Sequence, residues 1–449
     1  MLNPGRPYFY LLLCIVILYV RPQEYVPQLL EAPVVPLAMV AAAIFWLAGQ
    51  ERSFEASQHR LVIGLLFAMA LSVLMAGWLT GAWLVFTGFL PTLLLFYMAA
   101  TSVDSIRRFR EMGIVLTAVS VLIAYHGMLQ AADEAGIGWT GVQTIEGRIT
   151  YLGFLNDPND LAMAFLMSLP FAIYLAGRSS SLVMRGIYLG AAGVILYGIY
   201  LCNSRGSMLG IAAMLFVYGV RHHGLLRSMV VVPLLLGPLV LLAPSRISEM
   251  SADEASAAGR WDAWYEGFEM FRSHPLFGVG KGLFVEHTTL TAHNSFVLAI
   301  AELGLFGYFF WLSNLAVSGL MLYRILRSAE PPSPVPVPAD IGSLPHPVGL
   351  PSAPPIAPPP KWAEVQGAAG TLAYAFVGSL VAAFFLSRSY VLILYLLIAL
   401  IVAVYQMARR HWPAFAPVRA MDMLGRLLAF ELASIVFLWL VTRVLLALS

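Results

Sequence analysis

Residues equipped to do chemistry are few in this chain, and they gather in its middle third. The stretch TAHNSF sets His293 and Asn294 at the start of an apolar run, with a carboxylate, Glu302, further along the same run. Arg148, Arg205 and Arg260 stand near or within three other polar motifs, GFLNDPND, NSRGS and GRWDAW. Arginine suits phosphate recognition, because its planar fork bonds two oxygens at once and never loses its charge. An imidazole readily takes up and returns a proton near neutrality. The combination describes a base beside an anion site. Each residue taken alone has a blander reading, since arginines near lipid head groups serve as anchors and single histidines cap helices.

The elements that must position these residues are apolar. The 449 residues are 60% hydrophobic and 11% charged, with a mean hydropathy of +0.80. A soluble domain needs far more charge for its exterior. Apolar blocks near twenty residues recur along the chain, each long enough to cross a hydrocarbon core of roughly 30 Å as a helix. The expected fold is all-α: a polytopic transmembrane helical bundle of about 12–13 spans, forming a single integral membrane domain over residues 1–449. Spans are expected at roughly 8–20, 33–49, 61–78, 80–100, 112–130, 159–177, 186–203, 206–220, 228–243, 293–323, 366–386, 390–407 and 424–446. The first block lacks a small-residue cleavage site and reads as a retained helix. Cys14 and Cys202 both lie in apolar segments and imply neither a disulfide nor a metal.

Basic residues orient the bundle. With the N-terminus in the cytoplasm, 17 of the 26 lysines and arginines fall in inner connections, as the positive-inside tendency requires. The outer nine include Arg148, Arg205, Arg260, Arg272, Lys281 and Arg388. Two outer loops are long, 131–156 and 244–292. A third connection, 328–362, lies inside and holds 13 of the 28 prolines. That composition gives an extended linker without a core.

Three segments then run inward behind polar motifs. Asn156 or Asp157 can cap the first, with Pro158 in its first turn; NSRGS and TAHNS precede the other two. All three present a helix N-terminus to the outer face, where free N–H groups and the dipole favour an anion. In the second loop, Trp261, Trp264, Tyr265, Phe268 and Phe271 share one face of a helix, and Asp262, Glu266 and Glu269 share another. Such a helix lies on a membrane surface, aromatics down. The following GVGKG turn offers backbone N–H groups to a phosphate, a weak signal when alone. At a helix mouth the dipole opposes protonation, so His293 is expected to be neutral and free to accept a proton. Glu302 is expected to pair with a buried polar group or an outer arginine.

GFLNDPND, the SRG triplet, GRWDAW followed by HPLFGVGKG, and AHNSFVLAIAELGLFG resemble, in that order, the O-antigen ligase and polymerase superfamily. The likeness covers roughly 148–308, over a third of the chain. It implies a glycosyltransferase of the bacterial inner membrane, with an active site facing the periplasm. The donor would be a glycan on undecaprenyl diphosphate, and the acceptor the hydroxyl of lipid A-core, of a second carrier-linked repeat, or of a protein serine or threonine. These correspond to a ligase, a polymerase and a protein O-oligosaccharyltransferase, with the ligase favoured. By motif, Arg205 and Arg260 would hold the donor diphosphate and His293 would act as base. Arg148, Asn156, Asn159, Asn294, Arg272 and Lys281 would shape the binding site. The expected step is inverting and metal-independent; no cofactor and no nucleic acid is expected, and membrane lipids surround the site. The family usually has an even number of spans, whereas 13 leaves the C-terminus outside, which points to a miscount in the first block or the last three. The rival from another class is a transporter or flippase for a lipid anion, which would show broken helices in corresponding halves.

Overall fold

A computed structural model describes residues 7–30, 32–49, 52–230, 234, 250–288, 291–331 and 360–448, with only the backbone for 250–258. The expected span 228–243 beyond its first three residues and Leu234 lies outside the described residues. So do the opening of the second outer loop with Arg246, and 332–359 of the proline-rich linker.

The protein is an all-α polytopic bundle. Its helices are α1 (Pro7–Val20), α2 (Val34–Ala48), α3 (Ser57–Met75), α4 (Leu79–Ser102), α5 (Ile106–Ala132), α6 (Pro158–Arg178), α7 (Leu182–Leu201) and α8 (Arg205–His223). After them come α9 (Met250–Ser273), the single turn α10 (Phe284–His287), α11 (Ser295–Arg327), α12 (Trp362–Phe384), α13 (Leu392–His411) and α14 (Leu424–Leu448). Among the described residues, nine helices are long and apolar enough to cross a membrane: α3 to α7 and α11 to α14. The 14 residues of α1 and 15 of α2 fall short, since a rise of 1.5 Å per residue gives only about 21–23 Å. The weak spans therefore lie at the start of the chain, while the last three are all long enough. α8 has 19 residues but carries Arg205, Arg221, His222 and His223, which cost it the apolar character of its neighbours.

α6 and α13 are buried over most of their length and form the middle of the bundle. α7 and α14 are mostly exposed, and the exposed residues on α14 include Phe430, Leu432, Val436, Phe437 and Leu440. An apolar surface of that kind needs lipid around it. One end gathers inner-loop arginines. Arg107 pairs with Glu111, Arg108 with Asp104, and Arg110 reaches Glu364 at 2.8 Å. The Tyr8 hydroxyl donates to the Arg108 carbonyl, which places the start of α1 at this end. The two sides of the proline-rich linker meet there as well: Trp362 Nε1 and Gln366 Nε2 both donate to the Ser328 carbonyl.

α11 is broken at Gly304, whose φ of 58° and ψ of −167° leave the helix. The break frees backbone groups that lipid cannot satisfy. The HPLFGVGKG segment supplies the partners. Val279 N donates to the Ala301 carbonyl (2.9 Å) and Gly280 N to the Glu302 carbonyl (3.1 Å), while Leu305 N and Phe306 N donate to the carbonyls of Pro275 and Leu276. The approach is so close that a Cβ on Gly304 would lie 2.5–2.6 Å from the backbone of residues 276–278. Gly304→Ala should therefore lose more than about 2 kcal/mol of stability, from the left-handed φ and the backbone clash together. Gly425→Ala, in a helix with nothing within 4 Å of the new Cβ, should be neutral. Thermal unfolding in detergent measures both, and a Gly304→Ala protein that melts with the native one would show the break to be misplaced.

Candidate active site

The turn between α12 and α13 organises the end of the bundle opposite the inner-loop arginines, the one expected from the sequence to face outward and hence the outer end. Three hydrogen bonds, two of them fully buried, tie it to the first residue of α11. Ser295 Oγ donates to the Leu386 carbonyl (2.6 Å) and accepts from Arg388 N (2.8 Å), and Ser389 Oγ donates to the Ser295 carbonyl (2.7 Å). Trp311 Nε1 fixes the turn from below through the Ser389 carbonyl. Buried bonds of this sort contribute roughly 1 kcal/mol each. Their consequence is positional: Arg388 is carried on the same framework as His293 and Asn294.

From the other side, Arg388 is held by carboxylates. Its Nη2 lies 3.1 Å from Asp157 Oδ2, and its Nε pairs with Asp160. Asp157, not Asn156, caps α6, accepting from Asn159 N at 2.7 Å, and Pro158 occupies the first turn. Asn156 stands exposed beside the cap. Asn159 in turn accepts from Arg148 Nη2 (2.8 Å), while Arg148 Nε donates to the Cys202 carbonyl ahead of the SRG triplet. The first outer loop is clasped onto α5 and α1, which positions Arg148. Gln130 Nε2 donates to the Val142 carbonyl and its Oε1 accepts from Thr150 N, and the Tyr151 hydroxyl reaches the Val20 carbonyl.

His293 precedes α11 with a left-handed backbone, φ 45°. Asn203, just before the Ser204 cap of α8, has the same φ. Few non-glycine residues take this conformation, and they cluster at functional sites. Asn294 is fully buried and spends its Oδ1 on the amides of Phe296 and Val297, so its role is to start the helix. The His293 ring remains exposed, and its Nε2 lies 2.8 Å from the Thr291 hydroxyl. Partial desolvation, then the Arg260 and Arg388 guanidiniums, lower its pKa below the ordinary histidine value, while Asp157 works against them. Burial and the two guanidiniums thus both disfavour the protonated ring, causes additional to the helix dipole.

Arg260 reaches this place because α9 packs over the start of α11. Trp264 is buried with its ring edge-on to Phe384 at 5.7 Å, and Phe296 also meets Phe384. Gly267 fits closely against Val297 and Phe284. The aromatic face thus corrects an expectation: Trp264 and Phe268 are buried against protein rather than laid on a membrane, and Tyr265 is exposed. The acids Asp262 and Glu266 do face solvent. Gly206, next to Arg205, packs against Ala382 and Phe385, so the SRG triplet abuts the turn that bears Arg388.

Two expected binders lie apart from this group. Arg272 stands twelve residues beyond Arg260 on one helix, about 18 Å along its axis, where it forms an exposed pair with Glu269. Lys281 lies over the Tyr390 ring at 5.8 Å. The GVGKG amides are not offered to a phosphate: Val279 and Gly280 fill the helix break, Lys281 N donates to Ser72 Oγ, and Gly282 N donates to Glu302 Oε1. Glu302 has the structural role expected of it, bonded to that amide beside Tyr390 and Lys281. Among the described residues, no group of three histidines, cysteines or carboxylates could hold a metal ion.

The structure therefore brings together His293, Arg260, Arg148 and Asn159, with Arg205 on the neighbouring helix mouth, and adds Arg388, Asp157 and Asp160. Sequence reasoning did not select Arg388 because it lies in a short turn without a motif. Its position in an outer connection, against the positive-inside tendency, was the available signal.

A family model described as O-antigen ligase matches residues 190–312. The matched span contains Arg205, Arg260 and His293 and ends before Arg388. It supports the O-antigen ligase superfamily, the one the motifs resemble, and with it glycan transfer of the ligase or polymerase type in general terms. No curated protein matches the chain.

The electrostatics of His293 give a test with opposite signs. Arg388→Gln removes a nearby cation and should raise the His293 pKa, moving the acid limb of activity to higher pH. Asp157→Asn removes the opposing anion and should move it to lower pH. Titration of His293 by NMR in the purified protein reads both shifts, and shifts of the same sign would refute the arrangement.

Proposed function

We propose that the protein is a glycosyltransferase of the bacterial inner membrane that moves a glycan from undecaprenyl diphosphate to an acceptor hydroxyl at the periplasmic face. The reading favoured is an O-antigen ligase, with lipid A-core as acceptor. The observation that carries it is the placement of His293 at the mouth of α11, with Arg260 and Arg388 as its charged neighbours.

The reaction is a single displacement. The acceptor oxygen attacks the anomeric carbon, the bond from that carbon to the phosphate oxygen breaks, and undecaprenyl diphosphate leaves with the electron pair. His293 takes the acceptor proton. In the tautomer whose Nε2–H donates to Thr291 Oγ1, the basic lone pair lies on Nδ1. One displacement inverts the configuration at the sugar. Charge builds on the departing diphosphate, where Arg205, Arg260 and the N-terminal amides of α8, which no side chain caps, stabilise it. Donors placed in advance around developing charge are commonly worth several kcal/mol, and a positioned base adds about 10²- to 10⁴-fold. No step is assigned to a metal. Asn159 orients Arg148, and the exposed Asn156 belongs to the rim of the binding region.

His293→Ala should reduce transfer by at least about 10²-fold while donor binding stays nearly intact. Arg205→Ala and Arg260→Ala should weaken donor binding as well as turnover, and lysine at either position should restore little, because it cannot fork. Near-normal turnover of purified His293→Ala enzyme would rule out the base. Activity lost to a chelator and restored by magnesium would rule out the metal-free step. Deletion of the gene in its host separates the acceptors. Loss of the attached glycan ladder with accumulation of carrier-linked polymer marks a ligase, and collapse to single repeats marks a polymerase. Unglycosylated pilin with unchanged lipopolysaccharide marks the protein-modifying enzyme.

A further inference from the structure

We propose that the opposite, arginine-rich end of the bundle holds a second anion site, a cavity built to take a phosphate-bearing head group. The cavity has a volume of about 520 Å³ and is lined by Glu55, Tyr405, Gln406, Arg409, Arg410 and Arg419, among others. It lies at the C-terminal end of α13, whose 20 residues separate it by about 30 Å from the turn that carries Arg388.

Three features distinguish this place from a scatter of interfacial arginines. First, its walls are tied. Arg409 Nη1 donates to the carbonyls of Pro413 and Phe415, and Arg324 Nη1 reaches the Pro417 carbonyl at 3.1 Å. Gln406 Nε2 donates to the Ser53 carbonyl (2.8 Å), Val418 N to the Tyr405 hydroxyl (2.6 Å), and Ala420 N to Ser57 Oγ (2.9 Å). The connections 52–56 and 412–420 are thereby fixed to α3 and α13, and a ligand need not order them.

Second, the charge is uncompensated. Arg107, Arg108 and Arg110 at the same end each have a carboxylate partner. Arg410 and Arg419 form no ion pair with a described residue, and Glu55 is the one acid lining the cavity. Third, the volume is of the size that encloses a small ligand, and the lining mixes arginines with apolar Ala56, Pro413, Pro417 and Val418. Arginine forks match phosphate oxygens, and basic pockets between helices at the cytoplasmic membrane surface suit anionic lipid head groups. A free phosphate compound presents the same oxygens.

The test uses the full-length protein in nanodiscs of phosphatidylcholine with a minority of phosphatidylglycerol, and native mass spectrometry of the lipids it retains. Arg410→Gln with Arg419→Gln should weaken phosphatidylglycerol retention by about tenfold or more. Arg185→Gln with Arg227→Gln removes the same charge from exposed positions outside the cavity and should change little. All four side chains are exposed, and matching melting temperatures verify the folds. Inorganic pyrophosphate added to lipid-free protein in detergent identifies the source. Binding that depends on Arg410 and Arg419 marks a soluble phosphate compound, and dependence seen with phosphatidylglycerol alone marks a lipid. An equal loss in both double variants, or no loss in either, would overturn the proposal. His293→Ala should retain the inner site, so the outcome is independent of the reaction at the outer end.

Discussion

The arrangement at the outer end depends on one serine. Ser295 is the first residue of α11, and through its hydroxyl and its carbonyl it holds the 386–389 turn by three hydrogen bonds, two of them fully buried. That splice joins two helices whose contacting residues are more than ninety positions apart in sequence. It fixes a guanidinium beside an imidazole without help from either side chain. The acids of α6 then complete a three-sided frame around Arg388. An arginine bonded to two carboxylates is held in orientation but partly neutralised. Its value to an anion site thus depends on Asp157 and Asp160 yielding some of their hold to the incoming charge.

A second constraint lies about two and a half turns further along α11. Breaking a helix inside a membrane leaves backbone groups unpaired, and few arrangements can satisfy them there. Here the HPLFGVGKG segment enters the break and matches it amide for carbonyl, while Glu302 closes the last amide from within the helix. The second outer loop is thus bonded into α11 rather than resting above it. Because α9 leads directly into that segment, the same insertion sets where Trp264 docks on Phe384 and where Arg260 stands.

The two ends of the bundle handle arginine differently. At the inner end, Arg107 and Arg108 pair with carboxylates one turn away in sequence, contacts of small energetic weight, Arg110 crosses to Glu364, and others hold backbone carbonyls of neighbouring connections. At the outer end the pairings cross between elements: Arg148 spans from the first loop to α6 and the end of α7, and Arg388 spans from the α12–α13 turn to α6. Cross-element pairing makes geometry, which an anion site needs more than it needs net charge.

What the sequence by itself determined is everything that a local rule controls. Hydropathy dictated a helical membrane bundle, and cap chemistry marked the mouth at Asn156 or Asp157 before Pro158, because a helix start satisfies its own amides within a few residues. The 3.6-residue period disclosed the two faces of α9, and arginines placed against the charge bias pointed to the outer face. Tertiary structure decided what no local rule reaches. The GVGKG amides read as a phosphate cradle until the Gly304 break is seen to consume them, and the aromatic face of α9 reads as membrane-seeking until Phe384 and Val297 are found beneath it. Arg388 had no motif to announce it. Its partners lie on α6 and α11, and only packing makes residues so distant in the chain neighbours, since a hydrogen bond depends on separation in space and not in sequence.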